Sequence, residues 1–536
     1  MSFSPQKNYE ESRKQTGYVL RREATQKTYD RLGFISGLEV HQQLLTKEKL
    51  FCHCPAGVYN DDDDFNAEII RHMRPTLSEL GEYDGTALME FKTRKEIVYR
   101  INNENACTYE IDDTPPFPLN REALEQALEI SMLCKLNIVG EVHITRKQYL
   151  DGSIPTGFQR TAILGIEGEL ELPHKKIRLI QLSIEEDACR EISDIGHKRI
   201  YKTDRLGMPL IETVTYPDCV NPEEVMEACN YIRFLNRSTG KVRTGIGAGR
   251  EDVNVSCKGG TRVEIKGVAH TKWIPELTHN EVFRQWALLR IKRILNKRTR
   301  ATTWKMSYQD ISGLLRISLL KEAGKVIAVK LPDFKGVLSH FIQPGRMFSD
   351  ELSGRLKVIA CLEQPNMIHS EELKPLFGKK DREKIIQKLQ PDEKDGWLVI
   401  WGLEADMSTA LETIEERCRM AFEGVPQETR KSLPDGTTIF ERVLPGANRM
   451  YPDTDSIPIP LDDQDIERIG LNLPKEMIVR YKTLKSLGIP EDVYTFLFSK
   501  NIFPLMEKII EESTVPPVYI GTFLGEKLKF ALHHFG

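Results

Sequence analysis

The segment EDVNVSCKGGTRVEIKGV, residues 251–268, constrains the fold strongly, because its polar and apolar residues separate cleanly in one hairpin register. With Lys258, Gly259 and Gly260 as a three-residue loop, Ser256 faces Arg262, Asn254 faces Glu264 and Asp252 faces Lys266, while Val253, Val255, Val263 and Ile265 share the opposite face. A two-residue loop would set Ser256 against Val263 and mix the faces. The favoured register predicts an antiparallel sheet with one face to bury and one polar face carrying Asp252, Asn254, Glu264 and Lys266. That face would suit an anionic, metal-bound ligand, but a solvated sheet face shows the same alternation, so the hairpin alone speaks to topology.

Other short segments repeat the pattern of acids on strands. In SGLEVHQQLL, alternation puts Glu39, His41 and Gln43 on one side and Leu38, Val40 and Leu44 on the other. In LIQLSIEEDACR it puts Gln181, Ser183 and Glu185 opposite Ile180, Leu182 and Ile184, with Glu186 and Asp187 at the strand end. Three adjacent carboxylates repel one another and are tolerated when solvated, when sharing a proton or when neutralised by a hard divalent cation. Glu212 follows two apolar residues in RLGMPLIETVTYPD and can be buried. One His among several carboxylates suits magnesium or manganese better than structural zinc. Cys52 and Cys54 are a weak zinc signal, since no later C-x-x-C completes a four-thiolate set. GIGAGRED lacks the spacing of a dinucleotide fingerprint and precedes a strand, so a bound nucleotide would have to be held by other means.

At 536 residues the chain is too long for one core. Its 40% hydrophobic and 29% charged residues describe a globular protein, no apolar run approaches a membrane span, and the start, MSFSPQKNYEESRKQ, is polar. A cytoplasmic location and ten free thiols are the expectation. The net charge of −4 argues against a histone-like nucleic-acid binder but not against a local basic surface. Helices are signed by NREALEQALEISMLCKLN, with Asn120 as cap and Ala123, Leu124, Ala127, Leu128 and Ser131 on one stripe, and by NPEEVMEACNYIRFLNRSTG, with Asn221 as cap, Pro222 next and Gly240 beyond the end. A third, HNEVFRQWALLRIKRILNKRTR, reads as amphipathic with a basic end that complements the helix C-terminus or meets an anion. From about 305 to 425 the texture shifts to mixed α and β with Pro, Gly and charged turns, and from 466 it is helical.

Taken together and in order, GLEVHQQLLTKEKLFCHCP, TRKQYLDGSIPTGFQRT, IQLSIEEDACR, GMPLIETVTYPD, REDVNVSCKGGTRVEIKGV and LPGANRMYPDTDSIP resemble the GatB/GatE family of tRNA-dependent amidotransferases, from about residue 33 onward. The resemblance implies an α+β fold: a polar extension over 1–32, a cradle domain with an antiparallel sheet over 33–334, an insertion similar to that of aspartyl-tRNA synthetase over 335–425, a return segment over 426–465 and the start of a helical domain over 466–536. That insertion, and GSIPTGFQRT, place the chain nearer the E branch than the B branch. The implied activity uses ATP and Mg2+ to phosphorylate the side-chain carboxylate of glutamyl-tRNA(Gln), after which ammonia displaces the phosphate. The ammonia would come from an asparaginase-like partner of the GatD type in a hetero-oligomer, as no nucleophile motif for making it stands out here. By resemblance His41, Glu185 and Glu212 are the metal ligands. Glu39, Glu186, Glu264 and Lys266 fall at matching motif positions around the metal, the phosphate or the ammonia path, with Lys266 assigned to phosphate charge; Asp252 and Asn254 are the candidates for the nucleotide. Two departures stand out: the second cysteine pair of many B-branch members is absent, so no zinc site is carried over, and relatives continue into a tail domain whereas this chain stops at Gly536. The alternatives are a tail-less relative that amidates a non-tRNA carboxylate, and a catalytically silent tRNA-binding or scaffold protein.

Overall fold

A computed structural model describes residues 3–75, 77, 81–315, 320, 324–444, 446 and 449–535; within the motif spanning 444–458, positions 445, 447 and 448 lie outside the described residues. The fold is mixed α and β, dominated by an eleven-stranded sheet. Its strands in chain order are β1 Ile35–Gln43, β2 Asn137–Ile138, β3 Ile144–Gln148, β4 Phe158–Glu171, β5 Lys176–Glu186, β6 Pro209–Thr215, β7 Gly249–Ser256, β8 Val263–Val268, β9 Glu428–Ser432, β10 Thr438–Val443 and β11 Met450–Pro452. They lie in the order β10-β9-β8-β7-β1-β6-β5-β4-β3-β11, with β2 beside β4. Every pairing is antiparallel except β8 with β9, which is parallel.

The hairpin pairs Asn254 with Glu264, Val253 with Ile265 and Val255 with Val263, as its alternation requires. Towards the open end the register slips: Glu251 meets Val268, and Gly267 stands at a positive φ of 63° where the extra residue is taken up. Asp252 and Lys266 are therefore not paired across the ladder, and Asp252 Oδ1 instead accepts a hydrogen bond from Gly267 N at 2.8 Å.

The apolar sheet face carries Leu38, Val40, Leu182, Ile184, Val253 and Ile265, each at most 1% exposed. It is covered by helices Arg121–Leu133, Pro222–Ser238 and Ile274–Arg298. The first is capped by Asn120, which accepts from Ala123 N, and buries its predicted stripe. The second is capped by Asn221, with Pro222 at its first turn. The third is not simply amphipathic: it begins at Ile274, and its polar residues His279, Asn280, Glu281, Arg284 and Gln285 are also buried, because other parts of the chain cover that side. At its end Arg298 donates to the carbonyls of Asp333 and Lys335, a structural use of the basic terminus.

What covers it explains two further features. The N-terminal residues are polar yet structured: helix Pro5–Thr16 docks through Asn8, which donates to Gly336 O and Ser339 Oγ, and Ser12, whose hydroxyl accepts from Phe341 N. Tyr18 and Tyr29 follow, bonded to Asn280 and His279. The region after 305 forms its own four-stranded sheet from Ser307–Asp310, Lys325–Leu331, Gly396–Gly402 and Met367–His369, in that spatial order, around Ile368, Phe377, Trp397 and Val399. A division at residue 335 would part its first two strands from the others, whereas the change of texture near 305 coincides with its beginning. Helices Phe348–Ile359 and Met407–Glu423 return to pack on Ile274–Arg298 and on β10. A second four-stranded sheet, Ala67–Arg71, Glu96–Ile101, Lys198–Lys202 and Arg190–Ile195, stands beside the large one. The described residues from Asp463 to Phe535 are mainly helical and dock by stacking Tyr481 on Tyr231 and by a tilted contact of Phe498 with Phe234. All ten cysteines are free, and among the described residues no helix is long and apolar enough to cross a membrane.

Candidate active site

The polar face of the large sheet floors a cavity of about 800 Å³. Because β1 pairs with β6, His41 lies opposite Glu212, and because β6 pairs with β5, Glu185 comes up opposite Leu210, two residues along on the same face. His41 Nε2 is 3.3 Å from Glu212 and 3.8 Å from Glu185. Burial alone would make the imidazole less basic, but the hydrogen bond and charge of Glu212, together with Asp252, raise its pKa to about 9. Glu212 in turn is held well below the ordinary carboxylate range, against its own burial, chiefly by Lys147 and His41.

Lys147 carries no signal of its role in the sequence. Its ammonium donates to Glu185 Oε2 at 2.8 Å and lies 3.5 Å from Glu212, so it already supplies one counter-charge to this group. Its pKa is raised above the usual value by the two carboxylates despite burial.

A second group stands next to the first. Glu39 faces Asp252 across the β1–β7 ladder, and Glu264 follows on β8; ligand atoms of these three carboxylates lie within 4.8 Å of one another, as do those of His41, Glu185 and Glu212. Burial, with Glu264, Glu212 and Asp252 nearby, lifts Glu39 to about 8. Lys266 is 3.9 Å from Glu264, beyond hydrogen-bond range. The trio thus crowds three carboxyl groups together with no tightly bonded cation among the described residues, and its oxygen-only donor set fits a hard divalent ion. Asn254 donates to Glu39 Oε1 at 3.0 Å and steadies it, but does not line the cavity.

Glu186 does not join either group. Successive side chains on a strand point to opposite faces, so while Glu185 enters the cavity Glu186 turns away, bonded to the Tyr109 hydroxyl and to Arg160 N at 3.0 Å. Asp187 is buried too, accepting from Gln43 and Arg250 at 2.8 Å each. The triplet is therefore no exposed acidic turn: each acid has its own partner.

The far wall is cationic. Lys266, Arg442 and Arg449 lie over the ring of Tyr149 at 6.0, 5.5 and 5.2 Å from its centroid. Although burial opposes it, these cations and Lys147 lower the pKa of the Tyr149 phenol. Arg262, Lys431 and Trp273 also line the cavity, and Glu441 is the carboxyl group set among these cations.

Away from the cavity, Cys107 and Glu110 come beside Cys52 and Cys54 to give a four-ligand cluster. No four-thiolate set is formed among the described residues, as the missing C-x-x-C implies, but one thiol and one carboxylate stand where a second thiol pair would. The cluster is not free of cations, because the buried ammonium of Lys49 pairs with Glu110.

The pattern of the GatB/GatE catalytic domain matches residues 34–467. Among curated proteins the chain is 40% identical to the E component of glutamyl-tRNA(Gln) amidotransferase from Methanocaldococcus jannaschii over 513 residues, covering 94% of this chain and 80% of that protein. It is 37% identical to the proteins of the same name from Sulfolobus acidocaldarius, with 95% of this chain and 81% of the relative covered, and from Sulfurisphaera tokodaii, with 94% and 82%. With a family pattern spanning most of its length and relatives this similar along nearly all of it, the chain belongs to the GatB/GatE family.

Proposed function

We propose that the chain converts glutamyl-tRNA(Gln) to glutaminyl-tRNA(Gln) in two steps at this cavity: ATP phosphorylates the glutamyl side-chain carboxylate, and ammonia then displaces the phosphate. The observation that carries this reading is the juxtaposition on one sheet face of two carboxylate-rich ligand groups with a wall of cations, the two halves that phosphoryl transfer between anions requires. The relatives' names supply the substrate.

In the first step a carboxylate oxygen of the substrate attacks the γ-phosphorus and ADP leaves. Lys266, Arg442 and Arg449 neutralise the phosphate oxygens, and the rigid strands β1, β5, β6 and β7 hold the acids without reorganisation. In the second, ammonia attacks the acyl carbon, inorganic phosphate leaves, and the new amide nitrogen gives up a proton. Mg2+ held by His41, Glu185 and Glu212, and by Glu39, Asp252 and Glu264, would neutralise the transferring phosphoryl group. Lys147 competes with a cation in the first trio and so sets how tightly it is held. Glu186 acts as a positioning residue, fixing Arg160 N and Tyr109 behind β5.

The ammonia donor on this reading is an asparaginase-like partner protein, the four-stranded unit after 305 is the insertion similar to that of aspartyl-tRNA synthetase, and the site of action is the cytoplasm. The test is to mix the chain with ATP, Mg2+, ammonium and glutamyl-tRNA(Gln) and to follow ADP release and glutamine formation together. Glutamine on the tRNA is expected; ADP release that ignores the tRNA, with no glutamine formed, would point to another carboxylate substrate.

A further inference from the structure

Four arginines and three glutamates are sealed between helices Ile274–Arg298, Phe348–Ile359 and Met407–Glu423 and strand β9. Arg284 and Arg417 are fully buried, Arg355 and Arg430 are 2% exposed, and Glu281, Glu351 and Glu428 are at most 3% exposed. Arg284 bonds Glu281 at 3.0 Å and clasps Glu351 through Nε and Nη2 at 2.9 and 2.8 Å. Glu428 accepts from Arg284, from Arg355 and from Arg430. Arg430 also reaches Glu351 at 3.1 Å, and Arg417 reaches it at 3.3 Å.

The charges do not balance: four guanidinium groups against three carboxylates leave one positive charge over. Of the neighbouring ionisable groups, Asp350 caps its own helix at Met347 N and has the Arg346 cation beside it, and Arg442 on β10 is paired with Asp151 and adds no charge to the cluster. Nε of Arg355 and both Nε and Nη1 of Arg417 are buried without a hydrogen-bond partner among the described residues, and the two guanidinium groups are close enough to repel each other. Each of these two guanidinium groups has an aromatic ring beneath it, Phe440 at 4.2 Å and Phe348 at 4.7 Å. Repulsion from Arg355 and Arg284 and above all burial bring the Arg417 pKa down to about 10.

A buried unpaired charge and buried unbonded donors are both strongly penalised. Water would serve the donors and leave the charge; a divalent oxyanion would overshoot it and demand fixed geometry. A halide has the right charge and accepts N–H donors from any direction. We propose that this cluster holds one monovalent anion of the halide class on the free N–H groups of Arg355 and Arg417. Its place has a consequence for the cavity. β9 carries Glu428 and Arg430 and pairs in parallel with β8, setting Thr429 beside Glu264 and Lys431 beside Lys266, so the anion would steady the edge of the sheet that presents them.

The test uses the full chain at constant ionic strength, exchanging sodium gluconate for sodium chloride or bromide. A saturable rise in the unfolding midpoint of at least about a degree in both halides and none in gluconate is expected. Arg417→Met removes the surplus charge while keeping an apolar stem over Phe348, and is expected to lose the halide response. Should that variant not fold, wild-type crystals grown in bromide decide, with an anomalous peak expected beside Arg355 and Arg417. Equal midpoints in halide and gluconate, or no such peak, would overturn the proposal. So would a peak with a flat solution response, which would mean an adventitious ion only.

Discussion

Replacing Glu185 by Gln changes one oxygen for an NH2 group and removes one charge, so its effects on fold and function can be separated. At 2.8 Å the attraction of Lys147 for Glu185 is about 6 kcal/mol at an effective dielectric constant of about 20. Most of this is not lost in the variant. The amide oxygen still accepts from Lys147, Glu212 still offers its charge at 3.5 Å, and a neutral side chain no longer bears the desolvation cost of a carboxylate. The net destabilisation should stay within about 1–3 kcal/mol, below the ~3–5 kcal/mol of stranding one partner of a buried pair. The metal site has no such compensation: two carboxylates and an imidazole become one carboxylate, an amide and an imidazole, still facing the ammonium of Lys147. Losing a group that merely orients a ligand costs roughly 10–100-fold in affinity or activity, so losing a ligand charge should cost at least about 100-fold in ATP-dependent phosphorylation. The assay is ADP release with glutamyl-tRNA(Gln) over a magnesium titration, with circular dichroism and thermal melting on the same sample. Wild-type turnover with an unchanged magnesium midpoint in a folded Glu185→Gln protein would refute the assignment of that trio.

Lys147→Met should act in the opposite sense on metal affinity, since it removes the resident counter-charge: the magnesium midpoint is expected to fall by about tenfold or more even as catalysis declines, and isothermal titration of the metal reads it directly. Glu351→Gln takes one carboxylate from a cluster already short of negative charge and should cost about 3–5 kcal/mol in a denaturant titration. Mild acid should loosen the region after 305 through His340 and His369, whose burial lowers their pKa values to about 4 and about 3. Near neutral pH both folded and unfolded forms are uncharged there. As pH falls below about 6.5 the unfolded chain takes up protons that the folded chain refuses, so stability drops until pH reaches the folded value, by about 3 kcal/mol for His340 alone. Melting curves between pH 7.5 and 4.5 should show this slope, and His340→Gln should flatten it.

The sequence makes visible which residues share a face, because alternation is a local property of the backbone. Glu39, His41, Glu185, Asp252 and Glu264 all stand on the polar face that their parity assigns, and two of the three covering helices begin at the caps that Asn120 and Asn221 supply. Glu186 shows the same rule from the other side: its neighbour's parity excludes it from the cavity, although its place in a run of acids and in the family motif gives it the look of a partner. What alternation does not contain is the partner that cancels a charge. Lys147 lies 38 residues from Glu185 and meets it only because β3, β4 and β5 are laid side by side. Cys107 is more remote still from Cys52, and no spacing rule based on paired cysteines would find a cluster completed by Glu110. The N-terminal helix reads as a solvated lead-in because its docking depends on Asn8 and Ser12 meeting residues more than 320 positions away. Hydrophobic burial leaves a periodic trace in a sequence, whereas a hydrogen bond or ion pair across the sheet leaves only a polar residue at each end. A polar residue is also what solvent exposure leaves. The chemistry of this cavity, in which the first trio is partly neutralised by Lys147 and the second has no bonded cation among the described residues, is therefore a property of strand order, and it is strand order that tells the two carboxylate groups apart.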